Sequence, residues 1–288
     1  MSDGFPGFAV MSLSVFLVVM FAALLHATWN AIVKKNTDKI LITVLVTSSA
    51  AMISALILPF LKQPLPESWI FIFMSAMLQV IYYILIARVY HLVDMSLGYP
   101  LMRGSAPFIV AVLSASLLGE SLSLTAWLGI GVICLGILSM ALDGHHAENR
   151  DGLRLILFTA IIIAAYTMVD GIGVRRSGAP IAYTLWIFLL TGLPMGIGAF
   201  CIMPGRFKDY IRHYWMQGLI GGGGTTASYG LALWAMTVAP VAMIAALRET
   251  SILFGSLISW VFLKEPATPR RVTGVCIILA GAMMLRMA

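Results

Sequence analysis

Two arginines, Arg103 and Arg248, and two carboxylates, Asp170 and Glu249, stand inside otherwise apolar runs of this 288-residue chain. A charged side chain in hydrocarbon is costly, so each must face protein or a water-filled cavity and find a partner there. Tyr99, Arg103 and Pro107 recur at four-residue steps and share one helical face. The arginines suit gating, or pairing with an anionic group of a solute, one near each mouth and each paired in one access state. Snorkelling to a headgroup region is the competing reading. Asp170 and Glu249 are the candidates for ion or proton coupling, because a carboxylate held in a cavity is a titratable group.

Neutral polar and aromatic residues repeat the same spacing. His26 and Asn30 are four apart, and Gln79, Tyr82 and Tyr83 fall within one turn at the middle of a run. Tyr229 follows Gly221-Gly-Gly-Gly-Thr-Thr226 in a later run, and Tyr99 and Trp186 add two more rings. Rings with a polar tip hold an apolar or zwitterionic solute while leaving a cavity wet. These eight residues are the expected solute-binding set; helix-to-helix hydrogen bonding and an interfacial tyrosine belt are the structural alternatives. The four glycines read as a close helix crossing or hinge, since no Lys-Ser/Thr follows and no strand precedes. Cys134, Cys201 and Cys276 lie in apolar runs without metal-ligand spacing, so no metal site, disulfide or cofactor is expected. No H-E-x-x-H or G-x-S-x-G constellation supports an intramembrane enzyme.

The elements that position these groups are membrane spans. Hydrophobic residues make up 60% and charged residues 10% of the chain, against roughly 45–50% and 25% in soluble domains. Cutting at turn residues predicts an all-α integral membrane protein with ten spans near 12–33, 40–60, 68–90, 95–118, 123–142, 153–173, 179–203, 213–236, 240–263 and 270–287. Continuous apolar runs exclude the alternation of a barrel. The net charge of +6 is spread over short loops, which suits a lipid surface and not nucleic acid. The one strongly polar connector, 143–152, divides the chain into five-helix units 1–142 and 153–288.

The halves overlay. At an offset of 145, Arg103 falls on Arg248, Ser114 on Ser259 and Glu120 on Glu265; at 140, His26 and Asn30 fall on Tyr166 and Asp170. Five spans per repeat is odd, so the second repeat enters from the opposite side. Inverted repeats around a central cavity are the architecture of secondary transporters.

The layout, the segment His26-Ala-Thr-Trp-Asn30 with Lys34-Lys35, and the endings Leu-Leu-Gly-Glu120 and Phe-Leu-Lys-Glu265 resemble the drug/metabolite transporter superfamily. Within it they are similar to the ten-helix EamA-like exporters of amino acids and other metabolites. The resemblance implies a cavity lined by the first, third and fourth helices of each half, packing roles for the fifth and tenth, and cytoplasmic termini. The charge count points the other way. Twelve Lys and Arg lie on the face reached after odd-numbered spans and four on the other (Lys62, Arg175, Arg176 and Arg286), with Arg103 and Arg248 inside spans. The positive-inside rule then puts both termini outside. The expectation is a monomeric bacterial inner-membrane carrier of small solutes, most of all amino acids, working by alternating access. A carrier of cationic drugs or of sugar- or nucleotide-type metabolites is the alternative; a drug pump needs a deep acidic residue, and Asp170 and Glu249 are expected near helix ends.

Overall fold

The computed structural model describes residues 11–36, 38–93, 95–141, 150–262, 264 and 266–288. Most of the polar connector and Glu265 lie outside them. Among the described residues every regular element is helical: α1 Leu13–Lys35, α2 Lys39–Ile57, α3 Trp69–Leu92, α4 Met95–Leu117, α5 Leu124–Ala141, α6 Arg150–Ser177, α7 Pro180–Ile202, α8 Pro204–Met236, α9 Val241–Arg248, α10 Ser251–Val261 and α11 Pro269–Met287. Eight stretches are long and apolar enough to cross a membrane, with α9 and α10 counted as one span. The other two, α8 and α11, are diluted by glycines and by Arg270, Arg271 and Arg286.

Helix starts follow local chemistry. Ser12 Oγ accepts from the Val15 amide at 3.3 Å and Asp38 Oδ1 from Leu41 at 2.9 Å. Pro180, Pro204 and Pro269 open α7, α8 and α11, where the missing N–H costs nothing. Helix α8 starts nine residues earlier than the apolar run predicts. Hydropathy locates the part of a helix in lipid and not its end, and Phe207 buries its ring against the α2 cluster of Leu41, Ile42 and Leu45. Pro100 and Pro107 stay within a continuous α4.

Most of the helix pairings recur when the halves are exchanged. α1 packs on α8 as α3 packs on α6, α4 packs on α6 as α9 and α10 pack on α1, and the pairs α2–α7 and α5–α11 are their own counterparts. Two inverted five-helix repeats therefore interlock around a common centre. α2 is gripped through glycines: a Cβ on Gly218 would come within 2.6 Å of Leu45, and one on Gly222 within 2.8 Å of the Ala50 nitrogen. The glycine run is thus a close helix crossing. The x-x-x spacings at 192/196 and 218/222 also serve this internal contact, Gly196 lying against Ser48 of α2.

Candidate central solute site

Helix α1 exposes Leu13, Leu17, Phe21 and Leu24 along one stripe, as a lipid-facing helix does. His26 projects from the opposite side, yet it is not fully buried. Helix α3 repeats the pattern. Ile70, Phe73, Met77, Ile81 and Ile84 form its exposed stripe, while Tyr82 and Tyr83 are half-buried on the other side. In α4, Tyr99 is half-buried away from exposed Phe108 and Val112. Partly accessible residues on the inward sides of three helices outline a candidate central cavity.

At its core Arg103 of α4 meets Glu249, in the turn between α9 and α10, with Nε 2.8 Å from Oε2. Both side chains are more than nine-tenths buried. The contact is ionic and not aligned as a hydrogen bond: Nε and Nη2 of Arg103 and Oε2 of Glu249 have no hydrogen-bond partner. The Arg103 guanidinium lies 6.0 Å from the Tyr99 ring, and that of Arg248 sits 4.7 Å over the Tyr229 ring. Both arginine charges act on His26 and on Tyr166. Tyr82 packs on Tyr83 at 5.4 Å and on Tyr166 at 5.9 Å, and Phe188 meets Tyr229 edge-on.

Asp170, fully buried, joins three helices beside this wall. It accepts from Tyr183 of α7 at 3.2 Å and from Tyr229 of α8, and Ser75 of α3 lies nearby. Gln79 in turn donates to Ser75 Oγ at 3.2 Å. The carboxylate is thus met by two phenol hydroxyls, one on each oxygen, as a buried charge requires.

Several expectations need correction. The two arginines do not sit at opposite mouths. Arg103 contacts the residue next to Arg248, because a residue eight positions into a 23-residue helix is only about 5 Å from its middle at 1.5 Å per residue. Asp170 and Glu249 are not at membrane boundaries: α6 runs on to Ser177, and Glu249 breaks the span Val241–Val261 near its centre. Trp186 is not in the cavity. It donates to Gln63 Oε1 at 2.8 Å in the α2–α3 connection and packs on Trp69 at 4.9 Å, at one end of the bundle. Asn30 spends its amide on the His26 carbonyl at 2.8 Å, and the His26 ring receives the Trp29 indole N–H. Sequence reasoning passed over Tyr183 and Ser75. The signal for Tyr183 was a lone phenol at the head of α7, opposite a carboxylate in need of donors.

An all-helical inverted repeat closing on a charged, aromatic-lined centre is an architecture of membrane transporters. The EamA-like transporter family matches residues 13–142 and 151–287, one copy on each half, and this chain belongs to that family. Its members carry small solutes across membranes, so the chain is a multi-pass membrane transporter. A solved crystal structure, described only as a protein, superposes with a TM-score of 0.72 at 17% identity, over 94% of this chain and 97% of its own. At that identity the likeness shows the fold alone. No curated protein matches the chain.

Proposed function

We propose that this protein is a monomeric secondary carrier that exports small zwitterions, amino acids foremost, across a bacterial inner membrane by alternating access. The observation that carries this reading is the Arg103–Glu249 contact, formed between the two repeats beside the tyrosine wall with Nη2 of Arg103 holding no hydrogen bond. A solute carboxylate would take the open Nη2 of Arg103 with help from Arg248, and its ammonium would take Glu249. The side chain would lie against Tyr82, Tyr83 and Tyr99. Export and the preference for amino acids rest on the family resemblance. The Lys and Arg distribution supports cytoplasmic exposure of the face where α1 ends.

Proteoliposomes loaded with unlabelled amino acid and offered the labelled form test the proposal. Saturable counterflow of at least one amino acid is expected. Flux that does not saturate, or no flux for the whole panel, refutes it. A carrier of organic cations is the second reading, favoured by the depth of Asp170 and Glu249. Asp170 is already held by two donors and Glu249 by Arg103, which is why the zwitterion is preferred. Competition by a hydrophobic cation but by no amino acid would reverse that preference.

A further inference from the structure

The two mouths of the cavity are not alike. At repeat-equivalent positions on α1 and α6, His26 and Asn30 are accessible where Tyr166 and Asp170 are buried, and Lys34 is exposed where Val174 is buried. On α4 and α9, Leu97, Tyr99 and Leu101 are half-buried, while Ala242, Ile244 and Ala246 are fully buried. The cavity opens toward the face where α1 ends and α4 begins. It is sealed at the face where α6 ends and α9 begins.

The seal has an ionic centre outside the solute site. Glu120, just beyond the end of α4, is buried, and its Oε1 takes the Arg175 guanidinium of α6 at 2.7 Å. Its two oxygens also accept from the Val241 amide at 3.1 and 3.0 Å, and Ser114 Oγ donates to Oε2 through a short bond. Arg175 spends further donors on the carbonyls of Met236, at 2.7 Å, and Ala239, at 3.0 Å, after α8. One carboxylate and one guanidinium thus tie together the ends of α4, α6 and α8 and the positive start of α9. A cleft of about 330 Å³, lined in part by Ser121, Ala239, Pro240 and Met243, reaches this cluster from outside. The repeat offsets carry Ser114 to Ser259, Glu120 to Glu265 and Arg175 to Lys35. At that opposite mouth Lys34 Nζ already reaches Ser259 Oγ at 3.3 Å.

We propose that Glu120 is a latch residue: with Arg175 it holds one mouth shut, and that mouth opens as the other closes. The proposal rests on the alternating-access reading. Parting Glu120 from Arg175 strands two buried charges unless water enters, so the latch breaks as a unit with the opening of its mouth.

The test reads accessibility and needs no solute, so its failure is separable from failure of the amino-acid reading. In a chain with Cys134, Cys201 and Cys276 replaced, Ala242→Cys reports the sealed mouth and its repeat equivalent Leu97→Cys the open one. Proteoliposomes are treated with a water-soluble maleimide on both faces. Glu120→Gln is expected to speed labelling at position 242 by about tenfold and to slow it at 97, a shift of population between two states. Glu120→Gln with Arg175→Gln should do the same without adding to it. Ser114→Ala, which keeps both charges, should give a smaller change in the same direction and covers the case in which Glu120→Gln does not fold. Unchanged labelling at 242 in every folded variant overturns the latch. So does faster labelling at both positions together, which is loosening and not exchange.

Discussion

Replacing Glu249 by Leu removes the partner of Arg103 and leaves a guanidinium that is more than nine-tenths buried without a counter-charge. At the observed 2.8 Å and an effective dielectric constant near 20, the direct attraction is about 6 kcal/mol, most of it offset by desolvation of the two ions. The informative quantity is the difference between breaking the pair and removing it. Breaking a buried pair costs about 3–5 kcal/mol, whereas replacing both members by apolar groups of similar size is close to neutral. Glu249→Leu and Arg103→Leu should each destabilise by about 3 kcal/mol, and the double variant should recover most of that loss. Unfolding in mixed detergent micelles with increasing dodecyl sulfate measures all four proteins. Counterflow should be lost in the singles and in the stable double variant alike, separating solute binding from folding. A double variant as unstable as the worse single, or one that still exchanges amino acid at the wild-type rate, refutes the reasoning.

Asp170→Asn removes the charge but keeps an oxygen for Tyr183 or Tyr229, so counterflow should survive. If Asp170 couples transport to protons, accumulation driven by a pH gradient should disappear, as measured in the same vesicles. Tyr229→Phe keeps the ring beneath Arg248 and deletes one donor to a buried carboxylate, a loss of about 1–3 kcal/mol in the micellar unfolding assay. Gly222→Leu forces a side chain onto the α2 backbone near Ala50 and should cost about 1–3 kcal/mol or prevent folding, whereas Gly223→Ala, where a Cβ meets nothing within 4 Å, should be tolerated.

The helices were legible in the sequence because lipid imposes one solvent on long runs, and the repeat was legible because a paired Arg and Glu at fixed separation is improbable in apolar sequence. Depth was not. Trp186 and Tyr183 lie in the same apolar run, yet one ring ends beside Gln63 and the other against Asp170, and only packing separates them. The break at Glu249 and Thr250 contains neither Pro nor Gly, so no local signal announces it. Arg175 read as one more loop cation. Its partner Glu120 is 55 residues away, and the ion pair exists only because α4 and α6 pack side by side.

At the solute site the repeat supplies two arginines and breaks its own symmetry at the carboxylates. Glu249 stands where the first repeat has Gly104, and Asp170 stands where it has Asn30. A carrier whose halves were identical would favour both access states equally. Here the carboxylates of the solute site come from the second repeat, and Asp170 ties α6 to α7 and α8 on the side that is closed, whereas Asn30 turns its amide back onto its own helix. On the alternating-access reading, bonds of this kind are lost in the opposite state and would bias the empty protein toward the form seen here. A solute that takes over Arg103 from Glu249 frees that carboxylate and can lower the bias only to the extent that it binds the other state better.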